Sequence, residues 1–268
     1  MRLWRAAAVV AAAAALALPA SAGAAVQAVS SNWAGYAVVQ QPHRFHQVTA
    51  TWVEPAASCQ PGHAAFSVFW VGLGGLLPGS QGLEQTGTEA DCSSSGRATY
   101  LAWYELLPAP PVYVRLHVRP RDVVTATVTV TGRKVAIRLV NQTRRVTVNR
   151  TLRMSSPDVS SAEWIAEAPA ACAQFGCAVL PLANFGSVGF RAASATTAGG
   201  RPHPPGYAGW SLLAILLDNS GTPDPFAAST PTVASPTALS RGSAFSVVVN
   251  QVSAAAHRPA RQLLPTPR

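Results

Sequence analysis

From Trp33 to Val249 the chain alternates apolar and polar positions with a period of two, in short runs broken by Gly, Pro and Ser. This pattern predicts strands rather than helices. Expected strands are Ala37–Val39, His46–Val53, Ala98–Leu106, Val112–Val118, Val123–Thr131, Lys134–Asn141, Arg145–Met154, Leu182–Phe190, Trp210–Leu217 and Ala244–Gln251. Ala65–Leu73 is apolar on both faces and reads as a central buried strand. Gly132-Arg133 marks a hairpin turn. In Ser161–Glu167 either period would bring Glu163 and Glu167 to one face, and Pro169 with the strand-rich surroundings favours a strand. Regular short strands with Gly and Pro between them predict an all-β antiparallel sandwich or barrel, built as a single domain.

One stretch breaks the alternation. Glycines 72, 74, 75, 79 and 82 crowd a short loop, and Leu83-Glu84-Gln85-Thr86-Gly87 follows as a polar turn. Neither a G-x-G-x-x-G opening a helix nor a Lys-Ser/Thr pair accompanies the glycines, so tight turns explain them better than phosphate binding.

The ends are of a different kind. Arg2 and Arg5, the apolar run Ala6–Leu18 and Ala20-Ser21-Ala22 describe a secretory signal peptide over residues 1–24. A β-sandwich domain is expected over 25–254, with a Pro/Ser/Thr-rich surface excursion between Asp218 and Arg241, and a disordered tail over 255–268. The expected mature protein is secreted, extracellular and outside any membrane, and most simply a monomer. Four cysteines in an exported chain predict two disulfides, Cys172 with Cys177 across a hairpin and Cys59 with Cys92. No Cys or His pair has metal-ligand spacing, so neither a metal nor a cofactor is expected.

The formal net charge is +9, and ten basic residues lie between Arg115 and Arg153, where Asp122 is the one acid. They alternate with Val, Ile, Leu and Thr, and no aromatic is interleaved to stack on bases. A solvated sheet face explains them more simply than a nucleic-acid or membrane surface.

The acids gather elsewhere. Glu54, Glu84, Glu89, Asp91, Glu105, Glu163 and Glu167 are seven of the chain's eleven, and most flank segments that also carry Gln85, Trp103 and Trp164. There is no G-x-S-x-G elbow, no H-E-x-x-H and no cysteine left for nucleophilic work. Taken alone, Gln85 reads as a loop amide capping a turn, the paired glutamates as a strand face, and the tryptophans as core.

Ser31-Asn32-Trp33-Ala34-Gly35, Trp70-Val71-Gly72, Gln85-Thr86-Gly87, Ala102-Trp103-Tyr104-Glu105, Ala162-Glu163-Trp164-Ile165-Ala166-Glu167 and Asn184-Phe185-Gly186-Ser187-Val188 together resemble the eqolisins, the glutamic peptidases of family G1. The resemblance implies two curved antiparallel sheets with a substrate groove on the concave side. It implies a catalytic dyad of Gln85 and Glu167, with Glu163 the second choice for the acid, and polypeptide substrates. Trp33, Trp70, Trp103, Glu105, Glu89 and Glu163 are implied to line or support the groove. Gly74 and Leu101 stand where fungal members carry Asp, and Glu89 replaces another Asp, so a less acidic groove is expected here.

Such a dyad is chemically coherent. A glutamate carboxylate can take a proton from water as it attacks the scissile carbonyl, and can then pass it to the leaving amine. A neutral amide can stabilise the oxyanion at a pH where a histidine would be protonated. An acid among other acids has its pKa raised by like charge, which suits work at acidic pH. Two other readings use the same residues: a carbohydrate-binding, lectin-like β-sandwich stacking sugars on its tryptophans, and a glycosidase setting Glu163 or Glu167 against Glu105.

Overall fold

The structure is a computed structural model and describes residues 25–40, 44–173, 176–218 and 233–250. The expected signal peptide, most of the excursion and the tail therefore lie outside the described residues. In chain order the strands are β1 Val26–Ser30, β2 Trp33–Val39, β3 Phe45–Val53, β4 Val68–Gly74, β5 Leu83–Cys92, β6 Ala98–Leu106, β7 Val112–Val114, β8 Val123–Thr131 and β9 Lys134–Asn141. They continue with β10 Val146–Arg153, β11 Ser161–Glu167, β12 Ala170–Ala173, β13 Gly176–Val179, β14 Ser187–Thr197, β15 Ser211–Leu217, β16 Ala234–Pro236 and β17 Phe245–Val249. No helix is present among the described residues.

Fifteen of these strands form one sheet in the order β10-β9-β8-β3-β14-β17-β16-β15-β2-β11-β4-β5-β6-β7, with β1 added parallel to β15. The two expected sheets are thus halves of one large curved sheet, joined edge to edge through the three-residue β16. The halves face each other across the main core, in which Trp52, Val124, Val128 and Ile137 of one half meet Phe69, Val71, Leu73 and Trp164 of the other.

Alternation then fixes the far face of the second half. Ala162, Trp164 and Ala166 of β11 enter the main core, so Glu163, Ile165 and Glu167 turn away from it. On the same far face a smaller apolar cluster joins Ala37, Val68, Trp70, Leu83, Trp103, Ile165 and Ile215. The candidate catalytic residues are set into this second cluster.

The largest departure from the sequence expectation is β5. Leu83–Gly87 is the start of a ten-residue strand, not a turn after the glycine loop. Both its faces carry polar groups that are buried: Glu84, Thr86 and Thr88 point to the core side, Gln85 and Glu89 to the far side. No apolar-polar alternation survives to signal a strand. Elsewhere Leu182–Phe190 gives way to β14 at Ser187–Thr197, Val112–Val118 shortens to β7, and β1, β12, β13 and β16 were not expected.

Cys59 and Cys92 are bonded, with Cα atoms 5.2 Å apart, tying the loop after β3 to the end of β5. Cys177 is disulfide-bonded as well. The β12–β13 register sets it opposite Cys172, whose side chain lies outside the described residues.

Candidate active site

Three cross-strand rows build the far face. Trp33, Glu167, Val68, Glu89 and Leu101 pair in succession across β2, β11, β4, β5 and β6. The next row runs Gly35, Ile165, Trp70, Gly87, Trp103 and, on β7, Tyr113. The third runs Ala37, Glu163, Gly72, Gln85 and Glu105. The candidate site residues drawn from the sequence therefore share one face, apart from the cysteines.

Glycines make the close packing of this face feasible. A Cβ at Gly87 would lie 2.0 Å from the Phe69 carbonyl oxygen and 2.8 Å from Cβ of Trp70, and one at Gly72 would lie 2.9 Å from the Trp70 ring and 3.2 Å from Cβ of Gln85. Neither position has room for a side chain, and the space they leave is where the Trp70 indole lies. Trp33 then packs edge-on against Trp70, with ring centroids 5.0 Å apart.

Glu167 is partly exposed and held by both oxygens. Nδ2 of Asn32 donates to Oε1 at 2.9 Å, and Nε1 of Trp70 donates to Oε2 at 2.7 Å. Burial pushes its carboxyl up to about 7, the charge of Glu105 adds to the rise, and the side chains of Trp70, Trp33 and Asn32 pull it back in part. Asn32 is the residue whose role the sequence reading missed. It lies in the Ser31-Asn32-Trp33 segment noted there, but nothing local to that segment points to a glutamate 135 positions away.

Gln85 is almost fully buried and directly opposite Glu105 on β6. Nε2 of Gln85 donates to Oε2 of Glu105 at 2.6 Å. A carboxylate can only accept, so this bond fixes the amide's orientation. Oε1 of Gln85 has no hydrogen-bond partner among the described residues. Glu105 thus acts on both members of the expected dyad, as the acceptor that sets Gln85 and as a charge felt by Glu167.

Glu163 is placed differently from Glu167 although the two share a face. It is fully buried, neither carboxyl oxygen has a hydrogen-bond partner among the described residues, and burial pushes its pKa well above the ordinary value. The nearby Ser161 hydroxyl offsets this only in part, while Asp158 and Glu84 add to the rise. A carboxyl sealed in this way favours its neutral form and is closed to solvent, so it does not line a groove. Glu84, on the core side of β5, accepts from the backbone N–H of Asp158 at 3.1 Å and is pushed by burial to about 8.

Glu89 lies in the Glu167 row with Val68 between them. Burial and the charge of Asp91 push it to about 8, and it bonds to the exposed Tyr113. Trp103 is buried in the same cluster, and its indole N–H has no partner among the described residues. Beside Asn32 and Trp33, a recess of about 410 Å³ opens between the end of β1, Gly75, Leu76 and Ile215. Among the described residues no group of three or more His, Cys, Asp or Glu side chains could hold a metal ion.

The site thus contains an acid with a raised pKa gripped by two donors, and an amide with a free carbonyl oxygen fixed by a second acid. A sequence profile decides what it belongs to: that of the peptidase A4 family matches residues 31–237. The chain belongs to the peptidase A4 family, the glutamic peptidases or eqolisins. Solved eqolisins share the fold. Scytalido-glutamic peptidase with a peptide-based transition-state analogue superposes with a TM-score of 0.66 at 24% identity, covering 82% of this chain and 99% of that one. The eqolisin SCP-B in complex with the tripeptide Ala-Ile-His gives 0.63 at 23% identity, with the same coverages of 82% and 99%. Aspergilloglutamic peptidase from Aspergillus niger gives 0.56 at 24% identity, covering 69% of this chain and 99% of that one. No curated protein matches the chain.

Proposed function

We propose that the protein is a secreted endopeptidase that cleaves polypeptides with a dyad of Glu167 and Gln85. Glu167, as carboxylate, deprotonates a water lying between it and Gln85 and later returns the proton to the departing amine. Oε1 of Gln85 accepts from that water. The N–H of Nε2 not engaged by Glu105 donates to the oxyanion. The observation that carries this reading is the double grip of Asn32 and Trp70 on a Glu167 whose carboxyl titrates at about 7. Such a grip holds the acid in one orientation and leaves its basicity high enough to take a proton from water. The recess beside Trp33 offers room for a substrate side chain next to the acid.

The working pH has two edges. Below about 7 Glu167 takes up a proton and ceases to be a base, and above about 8 the buried Glu54, Glu84 and Glu89 ionise against their surroundings. The proposed range is therefore neutral to weakly alkaline, above the acidic working range expected from the sequence. Family membership supports this reading over the lectin-like and glycosidase alternatives.

Incubation with a denatured protein substrate, with pepstatin present to silence aspartic peptidases, tests it. Glu167→Gln should abolish cleavage, and Gln85→Ala should lower kcat by about 10²–10³ if the amide supplies one oxyanion donor. Wild-type rates in both variants would exclude the dyad.

A further inference from the structure

The ten basic residues between Arg115 and Arg153 play no part in the site above. Strand register shows where several of them lie. On β9 and β10 the positions Lys134, Arg138 and Arg153 turn outward, away from the core-facing Val135, Ile137 and Leu139. They crown the outer face of the half built from β3, β8, β9, β10 and β14, across the core from the site. Lys134 and Arg138 are four residues apart on one strand, so they are spaced by about 13 Å.

Two features separate this face from an ordinary solvated sheet. Lys134 stands directly opposite Arg153 in the β9–β10 ladder. Like charges in facing positions repel, and no carboxylate lies within salt-bridge reach of Lys134, Arg138 or Arg153 among the described residues. The one acid of this region, Asp122, is already engaged by Arg144 at 2.7 Å. Beside the cations the surface is ruled by hydroxyls held in cross-strand pairs, Thr49 with Thr127 at 2.8 Å and Thr51 with Thr125 at 2.7 Å. The result is a hydroxyl-bearing surface edged by cations with no counter-charge among the described residues.

We infer that this outer face binds an acidic polysaccharide whose carboxylates meet Lys134, Arg138 and Arg153 while its hydroxyls meet the threonine and asparagine side chains between them. Arg138 faces Asn149 across the same ladder, which sets a guanidinium fork beside an amide. A single-stranded nucleic acid would need stacking surfaces, and no Phe, Tyr or Trp stands on these outward positions of β3, β8, β9 and β10; duplex DNA, bound through phosphates alone, is the rival that the test below decides. A bilayer would need several apolar anchors, whereas the exposed large hydrophobics of these strands are Val53 alone on the outward side, at the end of β3, and Val146 on the opposite side of β10. Seven acids, Glu84, Glu89, Asp91, Glu105, Asp158, Glu163 and Glu167, lie in the other half. A polyanion on the basic face would leave the site turned outward.

Retention of the full chain on immobilised polygalacturonate along a sodium chloride gradient tests the inference, with neutral dextran and duplex DNA as comparison matrices. Expected is salt-sensitive retention on polygalacturonate and none on dextran. The triple variant Lys134→Ser, Arg138→Ser, Arg153→Ser should bind about tenfold more weakly or worse. A second triple of equal charge change, Arg97→Ser, Arg119→Ser, Arg201→Ser, should leave binding unchanged. The single variant Arg153→Thr, which also removes the like-charge pair, gives a variant that keeps its fold and should still elute earlier than wild type. Equal losses in both triples, an unshifted Arg153→Thr, absence of retention, or duplex DNA bound as tightly as polygalacturonate would each overturn the assignment.

Discussion

The indole N–H of Trp70 reaches Oε2 of Glu167 at 2.7 Å, from a residue that the β4–β11 register pairs not with Glu167 but with Ile165 two positions earlier. The bond is a diagonal one, spanning two rows of the face. It favours the charged form of the acid. Trp70→Phe keeps most of the ring and removes the donor, so the pKa of Glu167 should rise from about 7. A base works only when ionised, and raising its pKa moves the acid limb of the kcat/KM profile to higher pH. The expected displacement is about 1–2 pH units, from the worth of a hydrogen bond to a charged group. An unmoved limb would show that Trp70 only packs.

Glu105→Gln tests how Gln85 is oriented. The variant replaces an acceptor-only group by an amide that can face Gln85 either way. Loss of alignment should lower kcat by about tenfold to a hundredfold with KM little changed, a smaller loss than Gln85→Ala. Thermal unfolding within a degree or two of wild type would confirm that the loss is one of positioning.

Gly72→Ala places a methyl group 2.9 Å from the Trp70 ring and 3.2 Å from Cβ of Gln85. Both side chains on which the dyad depends must then shift, and displacement on the order of 1 Å costs about 10² in rate. Steady-state kinetics on a chromogenic peptide would read it, with far-ultraviolet circular dichroism unchanged.

Much of this arrangement was legible in the chain. The period of two in Ala98–Leu106 and Ser161–Glu167 places Trp103, Glu105, Glu163 and Glu167 on the faces they occupy. β5 was not legible, because Gln85 and Glu89 belong to a site and Glu84, Thr86 and Thr88 to a buried polar layer, which leaves the strand without an apolar face. Nor could alternation separate Glu163 from Glu167. They share a face under either period, and what seals one and leaves the other accessible is how neighbouring strands and loops cover each row. Asn32 escaped for a related reason, since its partner is set by the pairing of β2 with β11 rather than by anything nearby in sequence.

Stability should depend on pH through the buried acids. Glu54, Glu84 and Glu89 are raised to about 8, and Glu163 well above its ordinary value of 4.5, by burial in each case. For a raised pKa the folded state holds its proton more tightly than the unfolded state. The stabilisation is full below about 4.5, the ordinary value, and is lost as pH rises toward the folded value. Tm should therefore fall steadily from about pH 4.5 to beyond 8. Glu163→Gln keeps the shape and removes one titration, so it should match wild type near pH 4 and exceed it at pH 8, read by calorimetry at both. Equal Tm values at pH 8 would show that Glu163 is ionised and satisfied in the native state.

Paired replacement Cys59→Ala, Cys92→Ala opens a closure of 33 residues. The expected cost is about 3–4 kcal/mol, seen as a lower denaturant midpoint, with kcat at low temperature unaltered because the bond lies at the far end of β5 from Gln85.

The sheet is narrowest at β16, which meets β15 through the single register pair Leu217–Ala234 and β17 through three. Every side chain assigned to the dyad or its support lies on β2, β11, β4, β5 and β6 or in the turn before β2, all on the same side of that seam. Breathing between the two halves would open and close there like a book at its spine. The catalytic residues are all printed on one page, so such a motion changes how much of the core is sheltered without altering the distance from Asn32 or Trp70 to Glu167, or from Glu105 to Gln85.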